Sequence, residues 1–286
     1  VPKEKNELLA TYADGSKWDE GDVQDLLTKN SQALNYFTSA SQKSSYQNTN
    51  LTDPSKVTPD TNIGNLSPIR TTAFLSSIKA RSLLKQGRID EAINEVFKGI
   101  KIGNQMDSSQ GILIEYLVGI AVKKINLLTL QDIVNTSNLS LSQMIDINAR
   151  LNQNYDNGIG LANAFRLDTN MMIHDLDSIR DNKEDFNPSN VFFFFLHWDF
   201  SRVALQSPTN KFYMKINKTK NLFADYARNQ VSLTGESCVV SLNRNYNYKA
   251  PKTSSPLLLF TENAMGKYFT DNISTSLNLV FGKRCE

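Results

Sequence analysis

The chain has 286 residues, and its 40% hydrophobic and 21% charged residues are the balance of a globular protein able to bury a core in one large domain or two smaller ones. Its formal net charge is only +2, from 31 basic and 29 acidic residues. With no long basic cluster in the sequence, this balance argues against nucleic acid as a partner.

Three parts of the chain differ in amino-acid composition and in the spacing of their apolar residues. Residues 1–40 are predicted to form an N-terminal helical segment, in which Val23, Leu26 and Leu34 recur at near-helical spacing. Residues 41–68 contain few apolar residues and three prolines, which predicts a polar loop or linker. A segment of that length is unusual inside a compact domain, so we expect it to be functional or mobile. Residues 69–286 are predicted to form the main helical domain.

The pattern becomes strongly helical after residue 69. The apolar residues of RIDEAINEVFKGIKI fall within one arc of a helical wheel: Ala92, Ile93, Val96, Phe97 and Ile100. Gly87 precedes this stretch, at a position suited to the C-cap of the helix before it. The two stretches on either side of Gly87 therefore predict a helical hairpin.

Residues 111–134 are apolar almost all round the helical wheel. Glu115, Lys123 and Lys124 interrupt them, so no run of about twenty uncharged apolar residues exists. This favours a buried central helix over a membrane-spanning one. Further helices are predicted over residues 139–153, 161–182, 188–207, 218–230 and 261–281, with an irregular or β insert near 231–256. The expected fold is an all-α irregular bundle or array of antiparallel helical hairpins.

The helix predicted over residues 188–207 carries the aromatic stretch VFFFFLHWDF. Four consecutive phenylalanines cover every side of a helix, which is typical of a helix surrounded by neighbours. The alternative is a pocket for a small apolar molecule, walled by Phe192–Phe195 and Trp198.

Only two histidines are available for acid–base or metal chemistry. His174, Asp177 and Asp181 share one helical face, where a metal is conceivable from the ligand types, although a solvated acidic face is the better interpretation. His197 and Asp199 are two residues apart and point to different sides of a helix, so they do not form a simple acid–base pair.

Nucleophile and phosphate motifs are missing from the sequence. It has no GxSxG elbow, no SxxK pair and no glycine-rich phosphate loop. The sequence therefore assigns no catalytic, cofactor-binding or metal-binding residue. It favours a protein that is not an enzyme, with a hydrolase of unrecognised type as an alternative.

The stretch KARSLLKQGRIDEAINEVFKGIKIGN resembles a tetratricopeptide repeat over roughly one unit of about 34 residues. The residues that match the packing positions of that repeat are Ala80, Leu83, Ala92, Val96 and Gly99. The resemblance implies a helical hairpin of the kind that stacks on its neighbours to form a binding groove.

A wider stretch, residues 70–286, is similar to a group of uncharacterised bacterial envelope proteins. The similarity rests on the hairpin, on SSQGILIEYLVGIAVKK, on FYMKINKTKNLFADYAR, on ENAMGKYF and on the closing KRCE. Such proteins have an N-terminal membrane anchor, an extracytoplasmic helical body and a short C-terminal segment. The resemblance implies an extracytoplasmic location, periplasmic or on the surface, with the anchor and the final segment absent from this chain.

Cys238 and Cys285 lack the paired spacing of a zinc site. By themselves they are compatible with two buried thiols or with one disulfide. The extracytoplasmic location implied by the resemblance favours the disulfide.

The function expected from the sequence is a non-enzymatic extracytoplasmic scaffold that binds a protein or peptide partner at the bacterial cell envelope. A binding module for a small apolar ligand is the alternative. No cofactor is expected, the membrane would be reached only through an anchor absent from this chain, and the oligomeric state stays open.

Overall fold

The computed structural model describes residues 3–53, 56–58, 61–153, 159–181 and 216–234. Within these ranges the chain is helical and contains no strand, which confirms the predicted all-α class. The α-helices are α1 (Lys3–Ala13), α2 (Glu20–Lys29), α3 (Ser31–Ser41), α4 (Ser67–Lys85), α5 (Ile89–Asp107), α6 (Leu113–Thr136), α7 (Leu141–Gln153), α8 (Ile159–Asp181) and α9 (Ile216–Leu233). The helices predicted at 188–207 and 261–281 lie outside the described residues, as does nearly all of the insert predicted near 231–256.

The chain divides into two compact units. The first comprises Val1–Asn48 and Gly64–Gly160, and the second comprises Thr49–Ile63 and Leu161–Glu286. The first unit holds α1 to α7, which share three buried apolar clusters.

Helices α1 and α2 pack on α4 in the first unit. Tyr12 of α1, Val23 of α2 and Ile78 of α4 belong to one buried cluster. Two side chains of α4 also bind the C-terminal end of α1: the Ser77 hydroxyl donates to the Ala13 carbonyl at 2.9 Å, and the Arg81 guanidinium donates to the same oxygen at 2.6 Å. These bonds satisfy a carbonyl that a helix end leaves without an intrahelical partner.

Helices α4 and α5 form the predicted hairpin. Gly87 has φ +75° at the turn, and the amide of Arg88 donates back to the Leu83 carbonyl at 3.0 Å. This is the glycine C-cap expected from the sequence, because glycine adopts the left-handed conformation without steric cost. The hairpin core buries Ala80, Leu83, Ala92 and Val96, four of the residues on which the repeat resemblance rests.

Helices α5 and α6 cross at unusually close range because glycines line their contact. A Cβ built on Gly119 would lie 2.8 Å from the Gly103 carbonyl oxygen and 2.8 Å from the Asp107 amide nitrogen. A Cβ on Gly99 would overlap the side-chain amide of Asn126, which is fully buried. The backbones therefore approach each other only while these positions carry no side chain.

Helix α7 completes the first unit by packing on α5. Ile147 and Leu151 contact the cluster that contains Ile93 and Phe97. Opposite Leu141 on the helical wheel, Arg150 stacks on the Phe97 ring at 3.8 Å from its centroid, so one side of α7 is held against α5.

Helix α6 is the buried central helix that the sequence predicts only in part. Tyr116, Val122, Leu130 and Ile133 are buried, but Leu127, Leu128 and Val134 are 40 to 50% exposed. The physical reason is that α4 and α5 cover one side of this helix, while the opposite side of its second half faces solvent. No helix in the described residues is long and apolar enough to cross a membrane.

The second unit contains α8 from Leu161 onward, α9 and the excursion Thr49–Ile63 between α3 and α4. In the excursion, the Asn50 amide donates to the Asn62 carbonyl at 2.7 Å, which joins its two ends. Leu51 and Val57 are buried, so the few apolar residues of this polar stretch are used in packing.

We expect Gly99→Ala to destabilise the protein by about 1–3 kcal/mol, the usual cost of overpacking a core, because the new methyl group overlaps the Asn126 amide. The change is measured as the shift of the denaturant unfolding midpoint. Adding Asn126→Ala to Gly99→Ala should recover most of the loss, since it vacates the space that the methyl group needs.

Gly21→Ala is the matched control for that substitution. Gly21 is exposed on α2, and the nearest atom to an added Cβ is the Asp19 carboxylate oxygen at 3.3 Å. The same change there should leave stability unchanged or raise it by up to about 1 kcal/mol through helix propensity. Equal midpoints for the Gly99→Ala variant and the unmodified chain would contradict the close crossing.

Candidate functional site

The metal site considered for His174, Asp177 and Asp181 would lie on α8. His174 is exposed, and Asp177 forms an ion pair with Lys220 of α9 inside the second unit. The residues that the structure describes contain no group of three or more histidine, cysteine or acidic side chains placed to hold a metal ion. Asp177 is thus engaged by a lysine, which is the arrangement of a structural helix pair.

Other residues singled out from the sequence lie outside the described part of the chain. They are His197, Asp199, Phe192–Phe195, Trp198, Cys238 and Cys285. The aromatic pocket and the disulfide therefore stay predictions.

The buried hydroxyl groups of Ser77 and Thr129 in the first unit lack the environment of a nucleophile. The Ser77 and Thr129 hydroxyl oxygens lie 2.5 Å apart in the core between α4 and α6. Their other hydrogen bonds go to the Ala13 and Ile125 carbonyls. Neither hydroxyl reaches a carboxylate or an imidazole among the described residues, so no base is available to activate it.

Glu95 of α5 is a buried carboxylate whose negative charge is balanced by neighbouring side chains. Its Oε2 atom lies 3.1 Å from the Lys79 ammonium and 2.6 Å from the Lys98 ammonium, and Oε1 accepts from the Ser76 hydroxyl at 3.2 Å. Because two lysines and a hydroxyl surround it, the charge is neutralised in place. This cluster joins α4 to α5 and leaves no oxygen directed at a ligand.

Glu115 of α6 holds the chain segment that follows α3. The carboxylate is fully buried in the first turn of the helix, where the helix dipole favours negative charge. Its Oε1 atom accepts hydrogen bonds from the Tyr46 hydroxyl at 2.7 Å and from the Asn48 amide at 2.8 Å. The Gln105 amide of α5 binds the Lys43 carbonyl in the same segment. Two neighbouring helices thus anchor residues 43–48.

The environment of Tyr46 changes its acidity. Burial and the hydrogen bond to the Glu115 carboxylate both raise the pKa of the Tyr46 hydroxyl well above its ordinary value of 10.0, burial being the larger cause. A tyrosinate beside a buried carboxylate would place two negative charges in contact, so the neutral phenol is strongly preferred. Tyr46 is a donor that stays protonated at neutral pH, which suits an anchor.

An apolar surface on α6 and α7 is the feature of the first unit that its internal packing does not use. It consists of the α6 patch, Leu127, Leu128 and Val134, and the α7 stripe, Leu141, Met144 and Ile145. Leu141 is 70% exposed, Ile145 60% and Met144 48%. Most of the exposed large apolar side chains in the described residues belong to these two groups, and such concentrations mark interaction sites more often than chance exposure does.

Helix α7 presents this stripe because both of its sides are apolar. Ile147 and Leu151 face the core. Residues 141, 144 and 145 follow i, i+3, i+4 spacing on another side and so form a ridge along the helix. On the core side, Gln143 donates to the Asp90 carboxylate at 2.6 Å and Arg150 donates to the Asn94 amide oxygen at 2.9 Å, so polar bonds to α5 set which side of α7 faces out.

The apolar surface is nearly free of charge. Between Ile125 and Ile145 the only charged residue is Asp132, and its carboxylate pairs with Arg81 of α4. The exposed polar residues of this stretch are amides and hydroxyls, such as Gln131, Asn135 and Ser142. The chemistry offered by this surface is burial of apolar area with hydrogen bonding at the rim, which is typical of a protein interface.

Sequence reasoning predicted the helix but did not single out the α7 stripe. The available signal was that α7 carries more apolar residues than one core-facing side requires. Comparisons with known protein families, with curated protein sequences and with solved structures found no match for the chain.

We expect Tyr46→Phe to lower the free energy of unfolding at pH 7 by about 1.5–3 kcal/mol, since it removes a hydrogen bond to a charged acceptor. It should also change the pH dependence. Because the folded state raises the pKa of Tyr46, its contribution is complete below about pH 10 and is lost as the pH rises further toward the folded-state pKa.

Unfolding midpoints measured from pH 8 to about pH 11 should therefore fall more steeply for the unmodified chain than for the Tyr46→Phe variant. Tyr36→Phe serves as the control, since Tyr36 is 67% exposed on α3. Parallel curves for the unmodified chain and the Tyr46→Phe variant would show that Tyr46 does not anchor this segment.

Proposed function

We propose that this protein is a non-enzymatic helical scaffold that binds a protein partner at the bacterial cell envelope, using the apolar surface of α6 and α7. The observation that carries the proposal is the α7 stripe, where Leu141 and Ile145 are 70% and 60% exposed on a helix whose other side packs on α5. Exposed apolar ridges of this kind fit another protein's apolar side chains.

The hydrogen bonds and ion pairs of three described acidic residues support binding over catalysis. Glu95 is neutralised by lysines, Glu115 anchors Tyr46, and Asp177 pairs with Lys220. Each of these carboxylates binds a side chain of the same protein. A catalytic carboxylate would instead have to lie within hydrogen-bond reach of a reacting atom.

The helical-repeat aspect of the proposal rests on the α4–α5 hairpin. Its packing residues are small and large at the positions that tetratricopeptide repeats use, and α6 stacks on the same hairpin along Gly99. Stacked hairpins generate extended surfaces for partner proteins, which is consistent with a scaffold.

The location at the envelope rests on the sequence resemblance. We expect the protein, produced at natural level in its source cells, to sediment with the envelope and to be accessible to a protease added from outside the cytoplasm. Recovery in the cytoplasmic fraction, beside a cytoplasmic marker, would refute this location and leave the binding surface untouched.

We expect the unmodified chain, immobilised and exposed to an envelope extract, to retain a protein that the Ile145→Glu variant does not retain. A glutamate within the α7 stripe would be buried without a partner in the complex, which should lower the affinity at least about tenfold. Because Ile145 is 60% exposed in the free chain, the substitution should leave folding intact.

Tyr36→Glu is the matched control, since it places the same charge on an equally exposed side chain of α3. Mass spectrometry identifies the retained protein, whether it is another chain or a second copy of this one. Equal retention by the Ile145→Glu and Tyr36→Glu variants would show that the α7 stripe is not the binding surface.

A further inference from the structure

We infer that a second copy of this chain occupies the α7 stripe, with the two α7 helices packed against each other about a two-fold axis. The inference rests on the proposed function, because it names the partner of the same surface. It is argued from the charges and polar groups around Leu141, Met144 and Ile145.

Charge is the first argument. In a two-fold symmetric interface, residues near the axis face their own copies, so any charged residue there meets a like charge. From Ile125 to Ile145 the single charge is Asp132, which is already paired with Arg81 of the same chain. Two copies of this stretch can therefore contact each other without repulsion between like charges. A surface that binds a charged partner would not have to be uncharged.

The polar residues around the stripe are the second argument. Ser142 and Asn148 are exposed on α7, and Gln131 and Asn135 are exposed beside the α6 patch. Each of these side chains can both donate and accept a hydrogen bond, so each can bond with a copy of itself. Lysine and ionised aspartate lack that property, and neither occurs unpaired in this stretch.

The nearest charges outside the stretch are compatible with the same arrangement. Asp146 lies 3.3 Å from Arg150 of its own helix, so it enters no uncompensated contact. Lys124 is exposed on α6, almost a full turn before Leu127. It lies beside the α6 patch, and the α7 stripe does not include it.

Packing geometry is the third argument. Leu141, Met144 and Ile145 form ridges at i, i+3 and i, i+4 spacing, the rows that interdigitate when two helices pack. The stripe occupies the first five residues of α7, so the first turn of each helix would form the centre of the contact. The stripe is preorganised, because Arg150 and Gln143 bind α7 to α5 from the core side.

The test is the mass of the purified chain in solution across a concentration series from roughly 1 to 100 µM, measured by sedimentation equilibrium. We expect the unmodified chain and the Tyr36→Glu control to form dimers. Ile145→Glu should raise the dissociation constant about 100-fold or more, because the two introduced carboxylates would face each other in an apolar contact. Far-UV circular dichroism checks that both variants keep their helices.

A second measurement covers the case in which the Ile145→Glu variant does not fold. A benzoylphenylalanine side chain placed at Leu141, which is 70% exposed, should cross-link to residues 141–153 of a second copy on illumination. Mixing isotope-labelled and unlabelled chains identifies that peptide as intermolecular. The same probe at Tyr36 should give no intermolecular product.

A chain that stays monomeric throughout the series, or a dimer that survives Ile145→Glu with no cross-link from position 141, overturns the inference. The proposed function has a separate readout. A monomeric chain that still retains a different protein through the α7 stripe overturns the inference alone, whereas equal retention by the Ile145→Glu and Tyr36→Glu variants refutes the proposed binding surface.

Discussion

The close crossing of α5 and α6 is the contact on which the first unit depends. Gly103 and Gly119 bring the two backbones together, and Gly99 leaves room for the buried amide of Asn126. Dispersion attraction strengthens steeply as two surfaces approach each other. This close crossing therefore allows the apolar residues on both sides of it to pack densely. The α4–α5 hairpin and α7 are then arranged around a pair of helices whose separation is set by glycine.

Buried charges specify the arrangement around that crossing. Lys123 of α6 pairs with the buried carboxylate of Asp107 at the end of α5, while Glu95 binds lysines on the side toward α4. Glu115 binds Tyr46, 69 residues earlier in the chain. A shifted helix would leave such a charge buried without its partner, which costs several kcal/mol, so these pairs disfavour alternative registers more than they raise stability.

The same geometry explains why an apolar surface remains outside. Helix α6 directs Gly119 and Asn126 toward α5 and Thr129 toward α4, which leaves Leu127 and Val134 on its far side. Helix α7 turns back onto α5 instead of covering that side, and its bonds to Asp90 and Asn94 hold the α7 stripe outward. An uncharged exposed ridge next to a rigid core is a recurrent basis for protein association.

The sequence by itself determined the all-α class, the α4–α5 hairpin and the glycine turn at Gly87, because helical periodicity and capping are local properties that neighbouring residues encode. It did not divide residues 1–40 into the three helices that the structure has. Only the tertiary structure decided which side of α7 faces out. A helical wheel with two apolar sides does not show which of the two sides packs against another helix. The tertiary structure also decided that Glu115 anchors Tyr46 and that Asn126 fills the space at Gly99. Those contacts join residues that are far apart in the chain. The periodic pattern within one helix does not indicate which residue of another helix it will contact.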